Sequence, residues 1–67
     1  MMGYLKKIDE NYYLLSKNGD VIGGTTFKTK GATLSKNNCD ELWQTSNEIN
    51  ELKVNIKKSN DKIVLYL

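Results

Sequence analysis

Apolar positions change their period along this chain, and the change predicts its elements. Leu34 to Ile49 is the one stretch that combines a helix start signal, helical spacing and a large aromatic anchor. Cys39, Leu42, Trp43, Ser46 and Ile49 follow the i, i+3, i+4, i+7 spacing and share a stripe, while Asp40, Glu41, Gln44, Asn47 and Glu48 face elsewhere. Ser35 is a good N-cap, with Leu34 before it placed to staple onto Cys39. Asn38, with Glu41 three residues on, offers a second cap about one turn later. Asp40 and Glu41 are read in the first turn, where the helix dipole favours negative charge.

On either side the pattern is that of strands. Tyr4 to Ile8 reads as a short first strand, with Asp9, Glu10 and Asn11 as the turn after it. Tyr12 to Ser16 and Val21-Ile22 flank Asn18-Gly19, a hairpin signal because a type I′ turn needs positive φ at both central residues. A two-residue loop there would set Leu15 opposite Ile22 and Tyr13 opposite Gly24. Gly23 and Gly24 mark a weakened strand end, a bulge or a close approach, and Thr25 to Phe27 could continue the strand. The remainder, through Thr33, reads as an exposed basic loop. After Ile49, Leu52, Val54 and Ile56 alternate with Lys53, Asn55 and Lys57; Val54 lies off the helical stripe, which decides for a strand. A fold at Lys58 to Asp61 would pair Ile56 with Ile63, Val54 with Leu65 and Leu52 with Leu67, and would set Lys57 against Lys62. Val64 and Tyr66 make the second face of the last strand apolar as well, which suits a central strand or one covered by a partner.

The expected architecture is therefore one small α+β domain over residues 1–67, an antiparallel sheet with one helix in the order βββαββ, with a small OB-like barrel as the alternative of the same element order.

Composition changes the picture in three ways. With 67 residues the chain can bury only a modest core, and one cysteine and no histidine remove disulfides and a zinc site as supports, leaving oligomerisation, most simply a homodimer. A lone cysteine and the lack of a signal pattern at Met1 point to the cytoplasm, and no apolar run nears the about 20 residues that span a bilayer. The net charge of +2 is carried by lysines without any arginine, so the planar fork used for bidentate base recognition is missing.

Candidate chemistry is sparse. Cys39 lies near a helix start but on the buried stripe, with no histidine to activate it; Asp40 and Glu41 diverge by about 100° around a helix and make no dyad. No cofactor or metal is expected: Gly19 to Gly24 lacks the Gly-Lys-Ser/Thr step of a phosphate loop, and no zinc or EF-hand spacing is present. The sequence does not fix a specific function. It favours a non-enzymatic protein-binding or regulatory protein, a homo-oligomer or a component of a larger assembly, with the interface on Leu52, Val54, Ile56, Ile63, Leu65, Tyr66 and Leu67. The alternative is a sequence-tolerant single-stranded nucleic-acid binder, with Tyr4, Tyr12, Tyr13, Phe27 and Tyr66 as stacking faces and Lys28, Lys30, Lys53, Lys57 and Lys62 as a basic surface, Tyr12, Tyr13, Phe27, Lys28, Lys30 and Lys53 foremost. That alternative requires aromatic and basic side chains to converge on one sheet face.

Overall fold

The computed structural model describes residues 1–26, 32–46, 50–59 and 62–67. Among the described residues, six strands and one helix follow in order: β1 Met2–Ile8, β2 Asn11–Leu15, β3 Val21–Gly24, β4 Ala32–Thr33, α1 Lys36–Thr45, β5 Glu51–Ser59 and β6 Lys62–Tyr66. They make a single sheet in the order β4-β3-β2-β1-β5-β6, antiparallel except where β4 runs parallel to β3. The sheet curls until β4 and β6, its two ends, approach one another, and α1 packs between β2 and β6. This is the expected α+β arrangement, built as a half-barrel. Among the described residues the one addition to the expected βββαββ order is β4, two residues inside what the sequence presents as loop, held by Gly23↔Ala32 and Gly24↔Thr33.

The concave side holds the core: Leu5, Tyr12, Leu14, Leu34, Cys39, Leu52, Val54, Ile56 and Leu65, with Ile22, Leu42, Trp43 and Ile63 packed against it. Strand alternation delivers these residues, since Leu5, Leu14 and Leu52 to Ile56 each occupy every second position and point the same way. Gly3 belongs to the same face. A Cβ there would lie 2.8 Å from the Leu15 carbonyl oxygen and 3.0 Å from Ile56 Cδ1, so only glycine fits between β2 and β5.

The helix starts where Ser35 caps it, its hydroxyl accepting from the Asn38 N–H at 3.3 Å. That start places Asp40 and Glu41 in the second turn rather than the first, so the dipole argument for them fails. Asn38 is no cap either: its side chain spans the outer edge of β6, Oδ1 accepting from the Leu65 N–H at 3.3 Å and Nδ2 donating to the Leu65 carbonyl at 3.4 Å. The helix ends at Thr45, short of the expected Ile49, with the Thr45 and Ser46 hydroxyls donating back to the carbonyls of Leu42 and Trp43. Ile49 lies outside the described residues.

Two hairpins differ from their expected geometry. At Asn18-Gly19 only Gly19 has positive φ, +92°; its N–H donates to the Ser16 carbonyl at 2.9 Å and the Ser16 N–H to the Asp20 carbonyl at 2.7 Å. This is a three-residue loop ending in a glycine bulge, not a type I′ turn, and the Ser16 hydroxyl steadies it by accepting from the N–H groups of Asn18 and Asp20. Leu15 therefore faces Val21 instead of Ile22, and a bulge between Leu14 and Leu15 restores the expected Tyr13↔Gly24 pair. In the C-terminal hairpin Ile56 faces Leu65, Lys58 faces Ile63 and Lys57 faces Val64, a slip of two residues from the expected pairing. An even slip keeps every side chain on its face, and it separates Lys57 from Lys62, which removes the like-charge pair. Nor is the last strand central: β6 ends the sheet, with Val64 and Tyr66 each 49% exposed.

Candidate interaction surface

The opposite, convex face of the sheet carries the residues that the core does not use. Directly paired residues share a face, so Val21, Leu15, Tyr4 and Lys53 form one row across β3, β2, β1 and β5. Gly24, Tyr13, Lys6 and Glu51 form the next row, and Met2, Asn55 and Tyr66 form a row on the other side. Tyr4, Tyr13 and Leu15 are half-buried among these neighbours, whereas Met2, Val21, Val64 and Tyr66 are exposed. The solvent face of an antiparallel sheet is ordinarily polar; here an apolar ribbon crosses it with Lys6, Lys53 and Glu51 at its border. Beside it Met1, Met2, Ile22 and the loop residues Ser16 to Asn18 line an open recess of about 420 Å³.

The residues singled out from the sequence fall in three places. Leu52, Val54, Ile56 and Leu65 are buried within the chain itself and Ile63 is half-buried against the same core, so these side chains complete the fold; of the seven, Tyr66 and Leu67 are exposed. Tyr12 is 1% exposed, which removes it as a stacking surface. Its hydroxyl donates to Asp40 Oδ1 at 2.6 Å, the Trp43 ring meets it edge-on at 5.9 Å between centroids, and Lys7 Nζ lies 5.6 Å from its centroid. Tyr13 and Lys53 do share the convex face, one row apart. Phe27, Lys28 and Lys30 lie outside the described residues. Tyr4 joins Tyr13 on this face, and so does Lys6, which the sequence-based set lacks, because both lie on β1, the inner strand to which β2 and β5 pair.

The chemistry of the buried groups is quiet. Burial, and then the charge of Asp40, pushes the Cys39 thiol up to about 11. Burial, and then the bond to Asp40, holds the Tyr12 hydroxyl well above its ordinary range. A nucleophilic thiol needs the opposite shift. Among the described residues no cluster of histidine, cysteine and carboxylate side chains could hold a metal ion, and no helix is long and apolar enough to cross a membrane.

Fold and surface together define a small curled α+β domain with a half-apolar convex face. Comparison with protein-family models, with curated proteins and with solved structures finds no match to this chain.

Proposed function

We propose that this chain is a non-enzymatic binding module that works in the cytoplasm through protein contact. The observation that carries this reading is the ribbon Val21, Leu15, Tyr4 and Met2, continued by Tyr66, on the convex sheet face, where Met2, Val21 and Tyr66 are exposed. A recognition surface of this kind has an apolar centre and a charged border. The buried, proton-holding Cys39 is unsuited to nucleophilic work near neutral pH, the chain has no histidine as a general base, and a reduced thiol fits the cytoplasm. A photo-crosslinker introduced at Lys53 tests the reading against one at Glu41, which is exposed on the helix. Protein adducts in a cell of origin are expected from Lys53 and not from Glu41. Equal labelling from both positions, or none from either, refutes it.

One observation favours a second reading. Tyr4 and Tyr13 alternate with Lys53 and Lys6 across neighbouring rows, the juxtaposition a single-stranded nucleic acid needs for stacking and phosphate contact. Fluorescence anisotropy of a mixed-sequence oligonucleotide reads it directly. Binding that falls steeply with salt would support it, and absence of binding at low salt removes it.

A further inference from the structure

We infer that Asn18 is a site of spontaneous deamidation, and that Ser16 sets its rate by holding the Asn18-Gly19 loop closed. The inference is independent of what binds the convex face. Of the asparagines in the chain, Asn18 alone precedes a glycine. With no side chain on the following residue, the main-chain nitrogen can swing onto the asparagine Cγ, which makes this dipeptide chemically labile.

The loop exposes the reacting atoms. Lys17 to Asp20 are all exposed, and a Cβ built at Gly19 meets no described atom beyond its chain neighbours within 4 Å, so packing does not shield the dipeptide from water. Its hydrogen bonds oppose the reaction. The Gly19 N–H, whose nitrogen is the nucleophile, donates to the Ser16 carbonyl at 2.9 Å, and the Ser16 hydroxyl accepts from the N–H groups of Asn18 and Asp20, each at 3.2 Å. The Ser16 N–H closes the loop on the Asp20 carbonyl at 2.7 Å. One residue thus engages three successive N–H groups, and the Gly19 nitrogen turns onto Cγ only when these bonds open.

In the open loop the Gly19 nitrogen loses its proton to solvent base and attacks Asn18 Cγ. The bond from Cγ to the side-chain nitrogen breaks, and that nitrogen takes a proton from water and leaves as ammonia, so a five-membered imide remains. Water then opens the imide at either carbonyl, giving aspartate or isoaspartate. One water is consumed, one ammonia is released and nothing is oxidised. Either product lowers the net charge of +2 by one. Isoaspartate also adds an atom to the main chain of a three-residue loop, so the Ser16 to Asp20 closure and the Leu15↔Val21 pair beside it no longer fit.

Incubating the folded chain at mildly alkaline pH, with the same chain in denaturant as the open reference, tests the proposal. Peptide mapping by mass spectrometry reads the mass gain and the isoaspartate. Product is expected at Asn18 ahead of the other asparagines, and more slowly in the folded chain than in denaturant. Ser16→Ala, its fold checked by circular dichroism, is expected to react roughly three- to tenfold faster than the folded wild type, the worth of one or two exposed hydrogen bonds. Ser16→Thr keeps the hydroxyl and is expected near the wild-type rate. Absence of product at Asn18 in the folded wild type, over a time in which the denatured chain reacts fully, overturns the site. A folded rate equal to the denatured one, or a folded Ser16→Ala no faster than wild type, overturns the control by Ser16.

Discussion

Gly3 shows how closely a single position is constrained. A methyl group there meets the Leu15 carbonyl oxygen at 2.8 Å, a backbone atom that moves only with its strand. Gly3→Ala is expected to cost about 1–3 kcal/mol, read as a lower denaturant midpoint. Asp9 sits at φ +56° in the two-residue loop closed by the Ile8↔Asn11 pair, a conformation that side chains other than glycine adopt at a cost. Asp9→Gly is accordingly expected to leave stability unchanged or raise it by up to about 1 kcal/mol, the added freedom of the unfolded chain offsetting part of the relief. Cys39 and Tyr12 both hold their protons more tightly in the folded chain than in the unfolded one. The unfolded state therefore releases protons first, and stability is full below pH 9.0, the thiol's ordinary value, falls toward about 11 for Cys39, and falls further for Tyr12 from pH 10.0 upward. Denaturant midpoints across that window check the sign: the decline of the wild type should be steeper than that of Cys39→Ala. The Gly3 and Cys39 effects are not visible as sequence motifs, because each depends on what a neighbouring strand or helix brings alongside.

Among the elements, the helix and the edge strand explain one another. Asn38 lies within α1 and bonds both backbone groups of Leu65, so a side-chain amide does for β6 what a further strand would do. Asn38→Ala is expected to destabilise by about 1–2 kcal/mol, the usual worth of two hydrogen bonds, measured by thermal or denaturant unfolding. It should also free the β6 edge, seen as greater self-association on heating than the wild type shows. The helix was legible from Ser35 and the stripe through Trp43, since capping and 3.6-residue periodicity are local properties. Its early end was less so: Thr45 and Ser46 stop it by bonding back to the preceding turn, a competition that apolar spacing does not record. The C-terminal hairpin was legible in its faces and not in its register. Alternation fixes which residues point inward, but slips by two leave that set unchanged.

For the whole molecule, the central element is β1, not the helix on which the sequence pattern converges. β1 pairs with both β2 and β5, and its inward Leu5 is fully buried between Leu14 and Leu52. From the sequence it was a short, weakly patterned strand, because a position between two neighbours is a property of topology rather than of composition. A 67-residue chain has little stability to spare. Leu5→Ala is expected to cost about 2–5 kcal/mol, enough to leave much of the population unfolded near 37 °C. A cooperative melt with an unchanged midpoint would show that the core does not depend on β1.

The sequence by itself determined the class of fold, the N-cap, the inward faces of the strands and the scarcity of catalytic side chains, since each follows from local spacing or composition. Only the tertiary structure decided the rest. It turned Tyr12 into the core and onto Asp40, spent Leu52, Val54, Ile56 and Leu65 on the chain's own interior, and gathered Tyr4, Tyr13, Lys6 and Lys53 on one face. The physical reason is strand pairing: which side chains become neighbours depends on the order and register of strands far apart in sequence, and no local pattern encodes that.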